Sequence, residues 1–173
     1  MSAQDLKDKE AKVIQNYHLA SLKFLANIFQ TSEGKKAMQN VEKGIELLEF
    51  CTKSFSSCNE KVVYHAAMVM FNYMLCFESD NKKALQESLQ KAMKQIDEVL
   101  GDMNMVDQDA LKALMLCECR ILYKNSGMCS WVEDHFRLFF SETHNEVKKR
   151  TQIPAVKEVA NDVLQMVDTE GKK

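Results

Sequence analysis

The sequence predicts an all-α fold, and two features of its composition and pattern point to that class. The 173 residues include one proline and five glycines but 11 methionines, whereas sheet proteins need many turn residues and β-branched runs. Apolar residues recur every three or four positions over much of the chain, which is the spacing of amphipathic helices. A chain of this length can bury a sizeable core, so we expect one helical domain.

Each predicted helix has an apolar stripe, and most have residues that begin a helix. The stripes, in chain order, are Met38, Val41, Ile45 and Leu48; Leu85, Leu89, Met93, Ile96 and Leu100; and Val156, Val159, Val163 and Val167. Thr31 or Ser32 can open the first of these segments, and Ser79 or Asp80 can cap the second. Pro154 suits the first turn of the last segment because proline lacks the amide hydrogen that this turn leaves unused.

The segment from Val62 to Phe77 differs from the other helices because it is apolar on nearly all sides. It contains His65 and Asn72 and is shorter than the roughly 20 residues that cross a bilayer, so a membrane span is disfavoured. A helix that is apolar all round is buried between others. We expect it to be the central helix of a layered array.

An internal repeat of about 45 residues gives the most specific expectation about architecture. Helical segments recur at this spacing, as LKFLANIF (22–29), VMFNYML (69–75), LKALMLCE (111–118) and VKEVANDVL (156–164). The period falls within the range of roughly 40–47 residues typical of HEAT and armadillo repeats. The sequence therefore predicts a right-handed, armadillo-like or HEAT-like helical repeat array, with a generic helical bundle as the alternative.

Polar residues at matching repeat positions are candidates for a binding groove. Lys23 and Asn27 are followed, one period later, by Met68 and Asn72, then by Lys112 and Leu116, and finally by Lys157 and Asn161. An asparagine amide can pair with the backbone of an extended peptide, and a lysine can donate to a carboxylate. We predict that Lys23, Asn27, Asn72 and Lys112 line a peptide-binding groove. The alternative is that Asn72 bonds a neighbouring helix and the lysines are solvated.

Three segments resemble the PUL domain, which occurs in ubiquitin-pathway adaptors related to phospholipase-activating protein. They are LKFLANIF (22–29), EKVVYHAAMVMFNYMLCFESD (60–80) and ALKALMLCECRILY (110–123). The resemblance implies an armadillo-like domain at 17–168, preceded by an N-terminal helix or tail at 1–16 and followed by a flexible tail at 169–173. Only residues 1–16 stand in for the additional helices that such domains usually have first, which implies either a shorter groove or a different layout of the helices.

The resemblance also implies a partner. In the family, basic residues of the concave face receive the acidic C-terminal tail of the hexameric AAA ATPase valosin-containing protein, and Lys23 and Lys112 match positions where the family tends to place arginine or lysine. Lysine lacks the planar fork of arginine, so this match implies weaker binding of a carboxylate. The alternative is a recruitment domain for another partner, such as one fused to a thioredoxin-like or desumoylase-like domain.

The sequence offers little support for an enzyme or a metal site. Cys117 and Cys119 diverge by about 200° around a helix, so they cannot join His135 in ligating one ion. Cys119 or Cys129 with His135 or His144 could pair as nucleophile and base, but no glycine turn for an oxyanion hole accompanies them. We expect no catalytic residues, no metal and no cofactor.

Charge and cysteine content limit the partners and the compartment. A net charge of −2 without a basic run disfavours nucleic acid and anionic membrane. The six cysteines fall mostly in apolar helical segments, and no signal peptide is recognisable at the N-terminus. We therefore expect reduced thiols and a cytoplasmic or nuclear adaptor module that binds protein, with no small-molecule substrate.

Overall fold

A computed structural model describes residues 3–76, 82–105 and 107–170. Within those ranges every regular element is an α-helix, which confirms the all-α class. The helices are α1 (Ala3–Ile28), α2 (Ser32–Ala37), α3 (Val41–Phe55), α4 (Glu60–Cys76), α5 (Lys82–Gly101), α6 (Gln108–Lys124), α7 (Ser126–His135), α8 (Arg137–Arg150) and α9 (Pro154–Glu170). None of these helices is long and apolar enough to serve as a membrane span.

Side-chain caps explain where several helices begin. Thr31 caps α2 by accepting from the Gly34 amide at 3.0 Å, and Asp107 caps α6 by accepting from the Ala110 amide at 2.8 Å. Pro154 is the first residue of α9, as predicted. The proposed caps Ser79 and Asp80 lie outside the described residues, as does Phe77.

The segment that opens at Thr31 is two helices rather than one. Asn40 accepts from the Lys43 amide at 3.1 Å and starts α3, so the chain breaks between α2 and α3. The predicted stripe from Met38 to Leu48 therefore crosses a break, with Met38 at the C-terminal cap of α2. Asparagine competes with helical backbone bonds and favours caps, which accounts for the break.

The helices form two layers. In the first, which we call the stacked layer, α4 packs against both α1 and α6, and α6 packs against α9. In the second, α5 packs against both α3 and α8. The layers are joined mainly by α3 on α4 and by α8 on α9. The four segments of the 45-residue repeat lie in α1, α4, α6 and α9, so the repeat corresponds to the stacked layer and the helical repeat array is confirmed.

Helix α4 is the central helix that the sequence predicts. Eight of its residues are buried, and it contacts α1, α3 and α6. Gly44 of α3 lies directly against the Tyr73 hydroxyl of α4, so a Cβ at position 44 would overlap that oxygen. Close approach of the two layers at this point therefore depends on glycine.

The six cysteines are all free thiols. Cys51, Cys117 and Cys129 are buried, whereas Cys58 is exposed. Burial raises the pKa of the Cys51 thiol, and burial together with the neighbouring Cys51 raises the pKa of Cys117. These two thiols are therefore held in their neutral, unreactive form.

Candidate protein-interaction surface and a buried acid–histidine cluster

The candidate groove residues lie on the outer face, defined here as the side of α1, α4 and α6 that turns away from the core. Lys23, Asn27 and Lys112 are exposed, and Asn72 is half-buried. Lys112 is two positions before the fully buried Leu114, so at about 100° per residue the two side chains point in nearly opposite directions. The same spacing separates Asn72 from the buried Met70. All four candidates can therefore meet a partner.

Lys23 acts electrostatically on the neighbouring helix. The pKa of His65, on α4, is lowered first by partial burial and second by the positive charge of Lys23. A like charge disfavours the imidazolium only when it is close, so the Lys23 ammonium lies beside α4. Lys23 therefore extends the basic character of the outer face from α1 toward α4.

The candidates are distributed over three neighbouring helices. Adjacent packed helices have axes about 8–10 Å apart, so Lys23 on α1 and Lys112 on α6 are separated by two such steps, on the order of 16–20 Å. About six residues of extended peptide cover that distance. Asn72, on α4, lies on the intervening helix. The role of these residues in peptide binding stays a prediction.

Asn72 also borders a cavity of about 300 Å³ between the ends of α1, α2 and α4. The cavity is lined by Phe29, Gln30, Lys35, Gln39, Asn72, Leu75 and Cys76. Gln39 donates to the Cys76 carbonyl at 3.4 Å, which ties the α2–α3 connection to the end of α4. The cavity offers side-chain amides and an apolar wall, which suits a peptide backbone more than an isolated charge.

The remaining repeat positions, on α9, lie on a part of the surface that is less basic. Lys157 and Asn161 of α9 are exposed, but Glu158 and Asp162 are exposed beside them. Burial raises the pKa of the Cys119 thiol on α6, and the Asp162 carboxylate adds to this effect. The acidic Asp162 therefore faces α6, and the basic part of the outer face is limited to α1, α4 and α6.

A second feature, which the sequence analysis missed, is a buried cluster of Asp97, Glu118 and His144. These residues come from α5, α6 and α8, and each is 0% exposed. His144 Nε2 lies 2.6 Å from Glu118 Oε2, and His144 Nδ1 lies 2.7 Å from the Phe140 carbonyl oxygen and 3.7 Å from Asp97 Oδ1. The cluster thus connects the two layers through one imidazole ring.

The hydrogen-bond partners fix where one proton lies. Because a backbone carbonyl can only accept, His144 Nδ1 must carry a hydrogen and donate to Phe140. The short contact between Nε2 and Glu118 then contains one further proton, either on an imidazolium or on the carboxyl group. Burial is the largest single effect and opposes the charged ring. The Glu118 carboxylate, its hydrogen bond, the Phe140 carbonyl and Asp97 together outweigh burial, so the pKa of His144 is raised. The ion pair is therefore the favoured form.

Neither carboxylate oxygen of Asp97 has a partner at full hydrogen-bond distance among the described residues, although the Thr143 hydroxyl is nearby. Burial and the neighbouring Glu118 carboxylate raise the pKa of Asp97 to about 8, although His144 acts in the opposite direction. A buried carboxylate without a full set of partners is costly, so the neutral acid is favoured at neutral pH.

The same three side chains are the group of potential metal ligands found within the described part of the chain. The 2.6 Å separation of Nε2 and Oε2 is a hydrogen-bond length, whereas two ligands of a tetrahedral zinc ion would be about 3.3 Å apart. The arrangement therefore suits a shared proton better than a metal. Cys117, Cys119 and His135 are not brought together as a group of ligands.

These features define a class of protein. A stacked layer of four repeat helices, backed by a second layer and presenting a partly basic face, is the architecture of a helical-repeat protein-interaction domain. The family profile of the PUL domain matches residues 1–162, and the chain belongs to this family. A search of curated proteins gave no match. PUL domains are protein-interaction modules of the ubiquitin-pathway type, and the family is not a catalytic one.

Proposed function

We propose that this domain binds the acidic C-terminal tail of the hexameric AAA ATPase valosin-containing protein, as the interaction module of an adaptor. The observation that carries the proposal is the exposure of Lys23 and Lys112 on two helices that flank α4 in the stacked layer. An extended acidic peptide laid across α1, α4 and α6 would meet both ammonium groups. Asn27, one turn from Lys23 on α1, and Asn72, on the intervening α4, would pair with its backbone.

Charge should dominate the affinity. Exposed ion pairs are worth up to about 1 kcal/mol each and are screened by salt, so we expect modest affinity that weakens as ionic strength rises. Asn72, which is half-buried, would contribute hydrogen bonds that depend little on salt. The two kinds of contact can therefore be separated by titration at low and high salt.

The test is calorimetric titration of the 173-residue chain with a synthetic acidic tail peptide of at least ten residues. The combined change Lys23→Glu and Lys112→Glu should reduce binding below detection, because it replaces attraction by repulsion at both ends of the peptide. A matched control, Lys43→Glu with Lys83→Glu, makes the same charge change on exposed residues of α3 and α5 and should retain binding.

Two further results test the proposed binding of the tail peptide. Asn72→Ala should weaken binding to a similar extent at both salt concentrations, provided circular dichroism shows an unchanged helical content. No binding by the unmutated chain at millimolar peptide would refute the proposal and favour recruitment of a different partner.

A further inference from the structure

Helix α1 has two apolar sides, and the described part of the molecule covers only one of them. Leu22 and Phe29 are buried against the core, and His18 contacts Ser54 of α3 at 2.9 Å. The opposite side carries Val13 and Tyr17, which are 50% and 72% exposed. A helix that is apolar on both sides is normally covered on both.

The exposed apolar residues form a seam along α1. Val13, Tyr17, Ala20 and Phe24 follow spacings of four, three and four, which is the pattern of a helix that packs against another helix. At about 100° per residue, all four point within roughly 40° of the direction opposite Leu22. The seam therefore lies on the far side of α1 from the core, where a second molecule could approach without clashing with it.

The N-terminal half of α1 is largely exposed to solvent in its described part. Every described side chain from Lys9 to Ile14 is exposed, and Gln15 Nε2 lies 3.9 Å from Cys58 Sγ. Isolated helical turns are marginal in water without packing. This half of α1 therefore gains most from a partner.

We propose that α1 pairs antiparallel with α1 of a second copy of this chain, through the seam. Under a two-fold axis between Tyr17 and Ala20, each Tyr17 faces the small Ala20 of the other copy, and each Phe24 faces Val13. Large residues thus meet smaller ones in every layer, as a self-complementary interface requires. The same axis puts Glu10 opposite Asn27 of the other copy.

The parallel arrangement is disfavoured by the same residues. It would place Tyr17 against Tyr17 and Phe24 against Phe24, leave a gap at Ala20, and bring two Glu10 carboxylates together. In the antiparallel arrangement Lys23 lies opposite Ile14, so like charges do not face each other across the seam. Antiparallel helix dipoles also favour this arrangement.

A membrane surface fits the seam less well than a second copy. Helices that lie on anionic lipid carry lysine or arginine along the whole polar side, whereas Lys9 and Lys12 alternate with Glu10 here. A single helix pair buries less than a standard interface, so the dimer should be weak and concentration-dependent. The interface borders Lys23 but requires no peptide.

The experiment is sedimentation velocity on the 173-residue chain, without peptide, from about 5 to 500 µM. The unmutated chain should shift from monomer to dimer over that range. Tyr17→Ala should weaken association at least tenfold by leaving a gap, and Ala20→Tyr should do the same by setting two tyrosines against each other. The double variant exchanges the large and small residues, so it should restore association to within about threefold.

Tyr123→Ala is the matched control, since Tyr123 is also an exposed tyrosine, at 69%, but lies on α6. It should leave association unchanged, and circular dichroism should show equal helicity in all variants. A chain that stays monomeric up to 500 µM would overturn the proposal. So would a dimer that is insensitive to Tyr17→Ala and Ala20→Tyr, because its interface would lie elsewhere.

Discussion

Two ionisable residues of helix α6, six positions apart, lie in opposite physical environments. Glu118 is fully buried and bonded to His144, whereas Lys112 is exposed on the outer face. A charge in the core must be paired or neutralised, whereas a charge at the surface is solvated whether or not it has a partner. The comparison teaches that one helix can hold an ionisable residue that must be paired for stability and another that remains available to a partner.

The largest effect should come from removing the imidazole of the cluster. His144→Ala leaves Glu118 and Asp97 buried without their shared partner, which should lower the free energy of unfolding by about 3–5 kcal/mol. Urea denaturation at pH 7 measures this loss. His135→Ala, at an exposed position on α7, should cost less than about 1 kcal/mol. Similar losses in the two variants would remove the distinction between buried and exposed sites.

The next effect is a dependence of stability on pH. Because the pKa of Asp97 in the folded state is about 8 and an unfolded aspartate titrates near 3.9, the folded state holds a proton that the unfolded state has released. Stability should therefore fall as pH rises from about 4 to 8 and level off above that. The raised pKa of His144 acts in the same direction, above pH of about 6.5.

The Asp97→Asn variant tests how much of this pH dependence of stability comes from Asp97. The amide has nearly the same shape and needs no proton, so the variant should lose most of the slope and be more stable than the unmutated protein at pH 8–9. Melting temperatures at pH 5, 6.5, 8 and 9 provide the comparison. An unchanged slope would assign the pH dependence to other groups.

The smallest effect on stability should come from substituting the lysines of the outer face. Lys23→Glu and Lys112→Glu should each change the free energy of unfolding by less than about 0.5 kcal/mol, because both side chains are exposed. The same urea titration used for His144→Ala measures this. A loss above about 1 kcal/mol in either variant would mean that these lysines support the fold, and loss of peptide binding could no longer be read as a lost contact.

Periodicity was sufficient to predict the fold class, the central position of α4 and the four helices of the stacked layer. These features depend on apolar residues that recur at fixed intervals, and such intervals are visible in a single sequence. The break between α2 and α3 was not predicted, because it depends on the Asn40 cap rather than on the apolar pattern.

The buried cluster was missed although the sequence contains a signal for it. Asp97 follows Ile96 within an apolar stripe, and Glu118 lies between two cysteines of an apolar helix. A charged residue on the buried side of a helix requires a partner, but the sequence does not show which helix supplies it. His144 was considered only as a catalytic base, and its link to Glu118 depends on the packing of two layers.

The order of the helices in space follows their order in the chain. Among the described residues, each principal helix contact joins elements at most three positions apart in the series, such as α1 with α4 and α6 with α9. Little loop-closure entropy has to be overcome before such contacts form, and helical proteins with local contacts fold within microseconds to milliseconds. Folding can therefore begin at α4 and α6, which have neighbours on both sides, and spread outward, with the exposed N-terminal half of α1 ordering last.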